Sequence, residues 1–248
     1  MSLSRFGIRP VVSRAALVVA FAVSGYSVLL VHPQPLFAFS ARDGAIVLHA
    51  REPLPSAVQG VLADARRRAA ASPFYDPRAT YDAFLCDDGR TFTTFTLWNH
   101  GAGAVSQWEL SGNIFLRPSH IEANRLVGPS GRETPGERTL SYFIAHEVTH
   151  TMVARGIGRL GYARLQRWQV EGYADYVGKG GAFDFAQTLA AFRAGTSELD
   201  PKRSGLYLRY HLFVAYLLDR EGMTPDALLS GPIEQAEVES RMRAKVAP

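Results

Sequence analysis

Two histidines with a glutamate between them are the residues of this chain best suited to chemistry. Residues 146–150 read His-Glu-Val-Thr-His. In a helix, His146 and His150 lie one turn apart on the same face, so both imidazoles can bind one tetrahedral zinc ion. Glu147 lies about 100° around that helix from His146, where its carboxylate can act as a general base on a water molecule at the metal. The spacing therefore predicts a zinc site with a base beside it.

A third metal ligand is predicted in the next helix. Glu171 follows His150 after a Gly-containing turn at residues 156–161, and a returning helix brings it back beside the two histidines. Two His and one Glu leave the fourth zinc position open for water, which is the catalytic arrangement. Asp175 lies one turn after Glu171, and we expect it to accept the outer N–H of a histidine ligand. Gly172 permits a close approach between helices.

These residues resemble the site of the gluzincin metallopeptidases, which include thermolysin-like and aminopeptidase-like enzymes. The resemblance covers residues 140–218, about a third of the chain. It implies a zincin-like domain and one zinc ion with three protein ligands, His146, His150 and Glu171. It also implies that Glu147 is the catalytic base and that Asp175 supports a histidine ligand. The third histidine of the metzincin motif is absent from the sequence that follows residue 150.

Residues 207–217 extend this resemblance. They are similar to a segment of aminopeptidase-like gluzincins whose leading tyrosine stabilises the oxyanion, which implies that role for Tyr207. Tyr210 and His211 stand where those enzymes carry small residues, so either one is an alternative donor. The Gly-rich exopeptidase motif is not found, so the choice between endopeptidase and exopeptidase activity stays open.

The expected function is zinc-dependent hydrolysis of peptide bonds, with Glu147 as the general base on zinc-bound water. We expect an extended substrate peptide to pair with an edge strand at residues 113–117. One alternative is a non-catalytic zinc-binding or peptide-binding domain of the same fold. Another is a small structural membrane protein in which the motif is coincidental. The intact Glu147 favours the peptidase, because a domain without catalysis has no need of the base.

The N-terminus has the pattern of a membrane anchor. Residues 15–31 carry no charge, and three arginines precede them: Arg5, Arg9 and Arg14. This asymmetry predicts that residues 1–35 form a cytoplasmic stub and an uncleaved signal anchor, which places residues 41–248 on the exported, periplasmic or extracellular side. The alternative is a cleaved signal peptide, with Ala38-Phe39-Ser40 as the best cleavage pattern. The site of action would be outside the cytoplasm in both cases.

The composition excludes several classes of protein. Hydrophobic residues make up 47% of the 248 residues, which is enough for a buried core. The net charge of +4 comes without a basic stripe interleaved with aromatics, so we expect no nucleic-acid partner. Cys86 is the single cysteine, which rules out an intramolecular disulfide and a cysteine-based metal cluster. We expect it to be a buried, inert thiol.

The periodicity predicts strands in the first half and helices in the second, and therefore an α+β domain with a small mixed sheet. The predicted strands cover residues 45–49, 81–86, 91–98, 105–110 and 113–117. The predicted helices cover residues 56–71, 134–155, 162–178, 183–194 and 205–220, with two short ones starting near 224 and 234. For the helix that carries the two histidines, Thr134-Pro135-Gly136-Glu137 has the form of a capping box. We expect that helix to be amphipathic.

Overall fold

The computed structural model describes residues 8–96, 99, 101–196, 199 and 206–244. Arg5, Trp98 and Gly205, at predicted element ends or flanks, lie outside these residues. The described chain is an α+β domain with a small mixed sheet and a mainly helical second half, as predicted. The strands are β1 (Phe39–Asp43), β2 (Ile46–Ala50), β3 (Tyr81–Leu85), β4 (Ala104–Ser106), β5 (Ile114–Leu116), β6 (Ser119–His120) and β7 (Arg125–Leu126). The helices are α1 (Ile8–Val31), α2 (Val58–Ala69), α3 (Gly89–Thr96), α4 (Leu140–Gly156), α5 (Arg159–Arg164), α6 (Arg167–Lys179), α7 (Phe185–Ala194), α8 (Leu206–Ala215), α9 (Pro225–Leu228) and α10 (Gln235–Ala244).

The main sheet has the strand order β1-β2-β3-β5-β4. The central strands β2, β3 and β5 are parallel, and β1 and β4 pair antiparallel at the two edges. The prediction that residues 113–117 form an edge strand is therefore wrong. Because β5 pairs with β3 on one side and β4 on the other, it is an inner strand, and β4 has the free edge.

Alternating side chains of the strands supply two cores, one on each face of the sheet. Ala83, Ile114 and Leu116 belong to the main core, which lies between the sheet and helices α2 and α4. Phe84 and Phe115 point to the other face, as the two-residue period of a strand requires. There they meet a smaller cluster completed by Phe37, Cys86, Phe92 and Phe95. Cys86 is fully buried in it, as expected.

Helix α4 is buried on all sides, so the expectation of an amphipathic helix is wrong. Every residue from Leu140 to Ala154 is buried, because the sheet, α2 and α6 pack around this helix. Its polar side chains are accommodated by internal hydrogen bonds, for example from Thr149 Oγ1 to the Ala145 carbonyl and from Thr151 Oγ1 to the Gly112 carbonyl. A helix in this position holds its side chains rigidly.

Helix α4 also begins later than the capping-box pattern predicts. Gly136 has a φ of 65°, a left-handed conformation that a right-handed helix cannot contain. The helix instead starts at Leu140, and Thr139 is its N-cap, with a side-chain oxygen that accepts from the Tyr142 backbone N–H. The hydroxyl of Thr134 donates to the Arg138 carbonyl and closes the turn before the helix.

The segment predicted as a strand at residues 91–98 is the helix α3 up to Thr96. Asp88 accepts a hydrogen bond from the backbone N–H of Thr91 and so caps the helix. The hydroxyls of Thr93, Thr94 and Thr96 donate to carbonyls one turn earlier. These local bonds satisfy the side chains whose β-branching suggested a strand.

The predicted helix at residues 162–178 is divided into α5 and α6. Leu165 and Gln166 both have extended backbone, with ψ of 149° and 147°. The chain restarts as α6 where the Gln169 side chain accepts from the Gln166 backbone N–H. Helix α6 packs between α4 and α8. A Cβ atom on Gly172 would come within 2.6 Å of the Tyr210 carbonyl oxygen, so the expected role of this glycine in close helix approach is confirmed.

Helix α1 ends against the domain. Tyr26 donates to the Thr94 carbonyl at 2.5 Å, and the Asn113 amide donates to the carbonyls of Leu30 and Val31 at 2.8 and 3.1 Å. Among the described residues, no helix combines the length and the apolar character that a membrane span needs. The membrane anchor stays a prediction.

Candidate metal site

The three predicted ligands lie together at the centre of the domain. Helix α4 supplies His146 and His150, and helix α6 supplies Glu171. The Nε2 atoms of the two histidines are 3.2 Å apart. Glu171 Oε2 lies 3.4 Å from His146 Nε2 and 3.8 Å from His150 Nε2. All three side chains are buried or nearly so, in a group of donor atoms that can hold one metal ion.

The spacing of these atoms fits a tetrahedral ion. Histidine nitrogen and carboxylate oxygen bind zinc at about 2.0–2.2 Å, so two ligands of one tetrahedron are separated by about 3.3–3.6 Å. The measured separations of 3.2, 3.4 and 3.8 Å bracket this range. Glu171 Oε2 is buried and has no hydrogen-bond partner of normal geometry among the described residues. A buried carboxylate oxygen needs a polar partner, and a bound cation would supply one here.

The protonation of two of the three candidate ligands, His150 and Glu171, also suits a cation. Burial opposes the charged form of the third, but the carboxylates of Glu171, Glu147 and Asp175 outweigh it and raise the pKa of His146. Burial and the neighbouring His146 lower the pKa of His150 to about 4, so this imidazole is neutral at physiological pH. Burial opposes the ionisation of Glu171, but the adjacent His146 and His150 outweigh it and hold the pKa of Glu171 at about 2. The site therefore presents an ionised carboxylate and a neutral imidazole, the forms in which these groups bind metals.

Behind His146 lies a buried hydrogen-bonded network centred on Asp175. The Tyr142 hydroxyl stands 3.5 Å from His146 Nδ1 and donates to Asp175 Oδ1 at 2.5 Å. Asp175 Oδ2 accepts from His211 Nδ1 at 3.0 Å and from Lys179 Nζ at 2.9 Å. We expected Asp175 to accept a hydrogen bond directly from a histidine ligand. Instead, the Tyr142 hydroxyl lies between Asp175 and His146. This arrangement leaves Nε2 of His146 directed at the metal site.

A second tyrosine holds the other histidine. Tyr162, on α5, places its hydroxyl 2.6 Å from His150 Nδ1. Neither Tyr142 nor Tyr162 was identified from the sequence. Tyr142 carries a usable signal, because it precedes His146 by one helical turn and so lies on the same face. Tyr162 carries none, because the break between α5 and α6 sets its position.

Glu147 lies beside the ligands but is not one of them. Burial, with a further contribution from Glu171, raises its pKa to about 7, although the charge of His146 and a backbone hydrogen bond from Ser106 act in the opposite direction. A cation at the neighbouring site would lower this pKa again. Ser106 belongs to the edge strand β4, so the carboxylate lies between the metal site and the free edge of the sheet.

Of the three predicted oxyanion donors, Tyr207 lines the cavities at the metal site. Its ring centroid is 5.5 Å from that of His146. Burial, then the charges of Glu171 and Glu147, raises the pKa of Tyr207, so its hydroxyl stays protonated and able to donate. His211 is bound to Asp175 and packs on Phe183, with ring centroids 3.9 Å apart. Tyr210 packs its backbone against Gly172. Neither Tyr210 nor His211 lines these cavities.

Two cavities meet at the ligands. The larger, of about 510 Å³, extends past Trp108, Glu109 and Arg167. The smaller, of about 250 Å³, extends past Leu126 and Arg138. Both are lined by His146, Glu147, Tyr207 and the start of β4. The arrangement is a cleft along a sheet edge, with the metal site at its middle and one recess on each side.

No model of a protein family, no curated protein and no solved structure matches this chain. The function therefore has to be inferred from the site itself: two histidines and a glutamate at metal-binding separations, a buried carboxylate beside them and an open cleft.

Proposed function

We propose that this chain is a zinc-dependent peptidase with a zincin-like domain, whose ligands are His146, His150 and Glu171. The observation that carries the proposal is the convergence of three ligand atoms, at separations of 3.2–3.8 Å, next to the non-ligating carboxylate of Glu147. Two imidazoles and one carboxylate are the ligand set of several catalytic zinc sites, and three ligands leave one position for water or substrate.

When bound, a zinc ion would lower the pKa of a water molecule and polarise the scissile carbonyl. Glu147 is the base that accepts the proton from the attacking water and passes it to the leaving amine. Its position in both cavities, next to two ligands, suits this transfer. Tyr207 keeps its proton and donates a hydrogen bond to the oxyanion, a contribution typically worth about 3 kcal/mol.

The edge strand β4 supplies the place for the substrate backbone. Its inner side pairs with β5, and its outer side faces the cleft with Ala104, Val105 and Ser106. An extended peptide would add to this edge as a further strand, so that its main chain crosses the metal site. Glu147 accepts a backbone hydrogen bond from Ser106, which fixes the base relative to that edge.

The predicted membrane anchor remains part of the proposal. Helix α1 exposes a set of large apolar side chains, each at least 60% exposed: Leu17, Val18, Val19, Phe21, Val23 and Val28. Exposed apolar surface of this kind favours a lipid or protein partner. Sequencing the N-terminus of the mature protein tests the anchor, since a start near residue 41 would show a cleaved signal peptide.

The peptidase is tested by zinc stoichiometry and peptide hydrolysis. We expect one zinc ion per chain in the wild type and in Glu147→Gln, and none in His150→Ala. We expect the wild type to cleave members of a mixed peptide library and Glu147→Gln to be slower by at least about a hundredfold. Equal cleavage by both proteins would remove Glu147 from the mechanism.

The same experiment separates the alternatives. Zinc bound without any hydrolysis would favour the non-catalytic binding domain of the same fold. No zinc in either the wild type or His150→Ala would contradict every metal-based reading.

A further inference from the structure

Arg138 is a charged residue at the cleft that the proposed reaction does not use. Its guanidinium lies over three aromatic rings, 5.8 Å from the centroid of Tyr142, 5.1 Å from Phe143 and 5.7 Å from Tyr207. Among the described residues, no carboxylate forms an ion pair with it. Stacking on aromatic faces holds a guanidinium in place while leaving its N–H edge free to bind a ligand.

Hydrogen bonds hold the backbone of the segment that carries Arg138. Thr134 Oγ1 donates to the Arg138 carbonyl at 2.7 Å, and Arg125 donates to the carbonyl of Gly136. Thr139, the next residue, caps α4. The backbone around Arg138 is therefore tied to the sheet region on one side and to the histidine-bearing helix on the other.

The space in front of Arg138 has the size of a side-chain pocket. It is the smaller cavity, of about 250 Å³, and residues 101–104 are among those that line it. A Cβ atom on Gly103 would come within 2.7 Å of the Phe143 ring, so this position favours a glycine. His146, Glu147 and Tyr207 line the inner end of this cavity. A group bound in it lies next to the reacting bond.

We propose that the smaller cavity is a substrate subsite for a carboxylate, with the Arg138 guanidinium as its receptor. The proposal rests on the proposed peptidase function and names its substrate class: peptides with a carboxylate-bearing residue beside the scissile bond. The planar N–H fork of arginine matches a carboxylate in two parallel hydrogen bonds. Because Arg138 lines the cavity, a carboxylate bound to its guanidinium lies at the Arg138 end.

The test measures binding to full-length, zinc-loaded Glu147→Gln protein, which keeps Arg138 and the three proposed zinc ligands and turns substrate over at least about a hundredfold more slowly. The probes are fluorescent hexapeptides of alanine, blocked at both ends, with one glutamate placed at each position in turn and a glutamine counterpart for each. A further pair, all alanine, has either a free C-terminal carboxylate or an amide. These arms distinguish a side-chain carboxylate from a terminal one.

We expect one carboxylate peptide to bind about tenfold more tightly than its neutral counterpart. That ratio should fall to about 1 when Arg138→Gln is added and should be partly kept by Arg138→Lys. Arg132→Gln removes an exposed charge from the same segment without lining the cavity, and should leave the ratio unchanged.

No preference for any carboxylate, or a preference that survives Arg138→Gln, would overturn the inference. Loss of the preference in Arg167→Gln instead would place the carboxylate in the larger cavity and would overturn it as well. On the wild-type background, an equal fall in kcat for acidic and neutral peptides in Arg138→Gln would make Arg138 a catalytic group, not a receptor. Arg138-dependent binding without cleavage of any peptide would contradict the peptidase and leave the carboxylate subsite standing.

Discussion

Replacing Asp175 by asparagine should destabilise the protein strongly. The carboxylate is 1% exposed and accepts hydrogen bonds from Tyr142, His211 and Lys179. An asparagine has one acceptor oxygen, so its NH₂ group would face either the Tyr142 hydroxyl or the His211–Lys179 pair. The Lys179 ammonium, with a side chain 11% exposed, would also lose its counter-charge. Removing one partner of a buried ion pair costs about 3 kcal/mol or more.

The measurement is urea unfolding of the full-length, metal-free protein at pH 7. With an m value of about 3 kcal/mol/M, the loss corresponds to a fall in the midpoint of about 1 M. The matched control is Glu237→Gln, which makes the same chemical change in a side chain that is 64% exposed and paired with Arg241. Its cost should stay below about 0.5 kcal/mol. A shift for Asp175→Asn no larger than that of the control would refute the reasoning.

The comparison of wild type with Asp175→Asn also gives a pH dependence of stability with a defined sign. Burial opposes the ionisation of Asp175, but the hydrogen bond from His211 and the charge of Lys179 hold its pKa well below its usual range. A carboxylate with a depressed folded pKa contributes stability that is fully present above its unfolded pKa, about 4. The difference in unfolding free energy between wild type and Asp175→Asn should shrink as the pH falls below about 4. Between pH 7 and pH 5 the difference should grow, because burial lowers the pKa of His211 and Asp175 partly restores it. A difference that grows as the pH falls below 4 would contradict the assignment.

Three further experiments test separate parts of the structure. Gly172→Ala should cost about 3 kcal/mol of unfolding free energy, because the added methyl meets a backbone carbonyl at 2.6 Å. Gly60→Ala, in open space on α2, should instead stabilise the protein by about 0.5 kcal/mol. Equal effects of the two changes would refute the close helix contact. Tyr162→Phe should weaken zinc binding about tenfold in competition with a chelating dye, because it removes the hydroxyl 2.6 Å from His150 Nδ1. Tyr75→Phe removes a buried hydroxyl that lines neither cavity at the metal site, and should leave zinc binding unchanged. Unchanged affinity in both variants would remove Tyr162 from the site. Cys86 should react with maleimide only in denaturant, because burial raises its pKa to about 12 and the side chain is fully buried; labelling of the native protein would contradict this.

The sequence by itself was sufficient for the elements with strong local signals. The strand-like run at residues 81–86 predicted β3, whose side chains alternate between the cores on the two faces of the sheet. The His146/His150 spacing predicted a shared helical face, and the structure places the two Nε2 atoms 3.2 Å apart. Glu171 was predicted from the helix-turn-helix order, and it does return to the histidines even though the chain breaks between α5 and α6.

Local patterns failed where a longer-range contact or a single backbone angle decided the outcome. The threonines of α3 look like strand residues, but Asp88 caps them into a helix whose phenylalanines complete the second core. The start of α4 depends on the left-handed Gly136, which no periodicity shows. The identity of the edge strand depends on which strand β3 pairs with, a choice made by the whole sheet.

The chemistry of the site likewise depends partly on the sequence alone and partly on the tertiary structure. The residue types that can bind a metal are determined by the sequence, because the helical repeat alone brings His146 and His150 to one face. The tertiary structure decided how those ligands are held and what reaches them. Tyr142 and Tyr162 fix the two imidazoles, Asp175 acts through Tyr142, and Arg138 stands at the mouth of a recess. These groups come from separate elements, and only packing brings them within hydrogen-bonding or charge distance of one another.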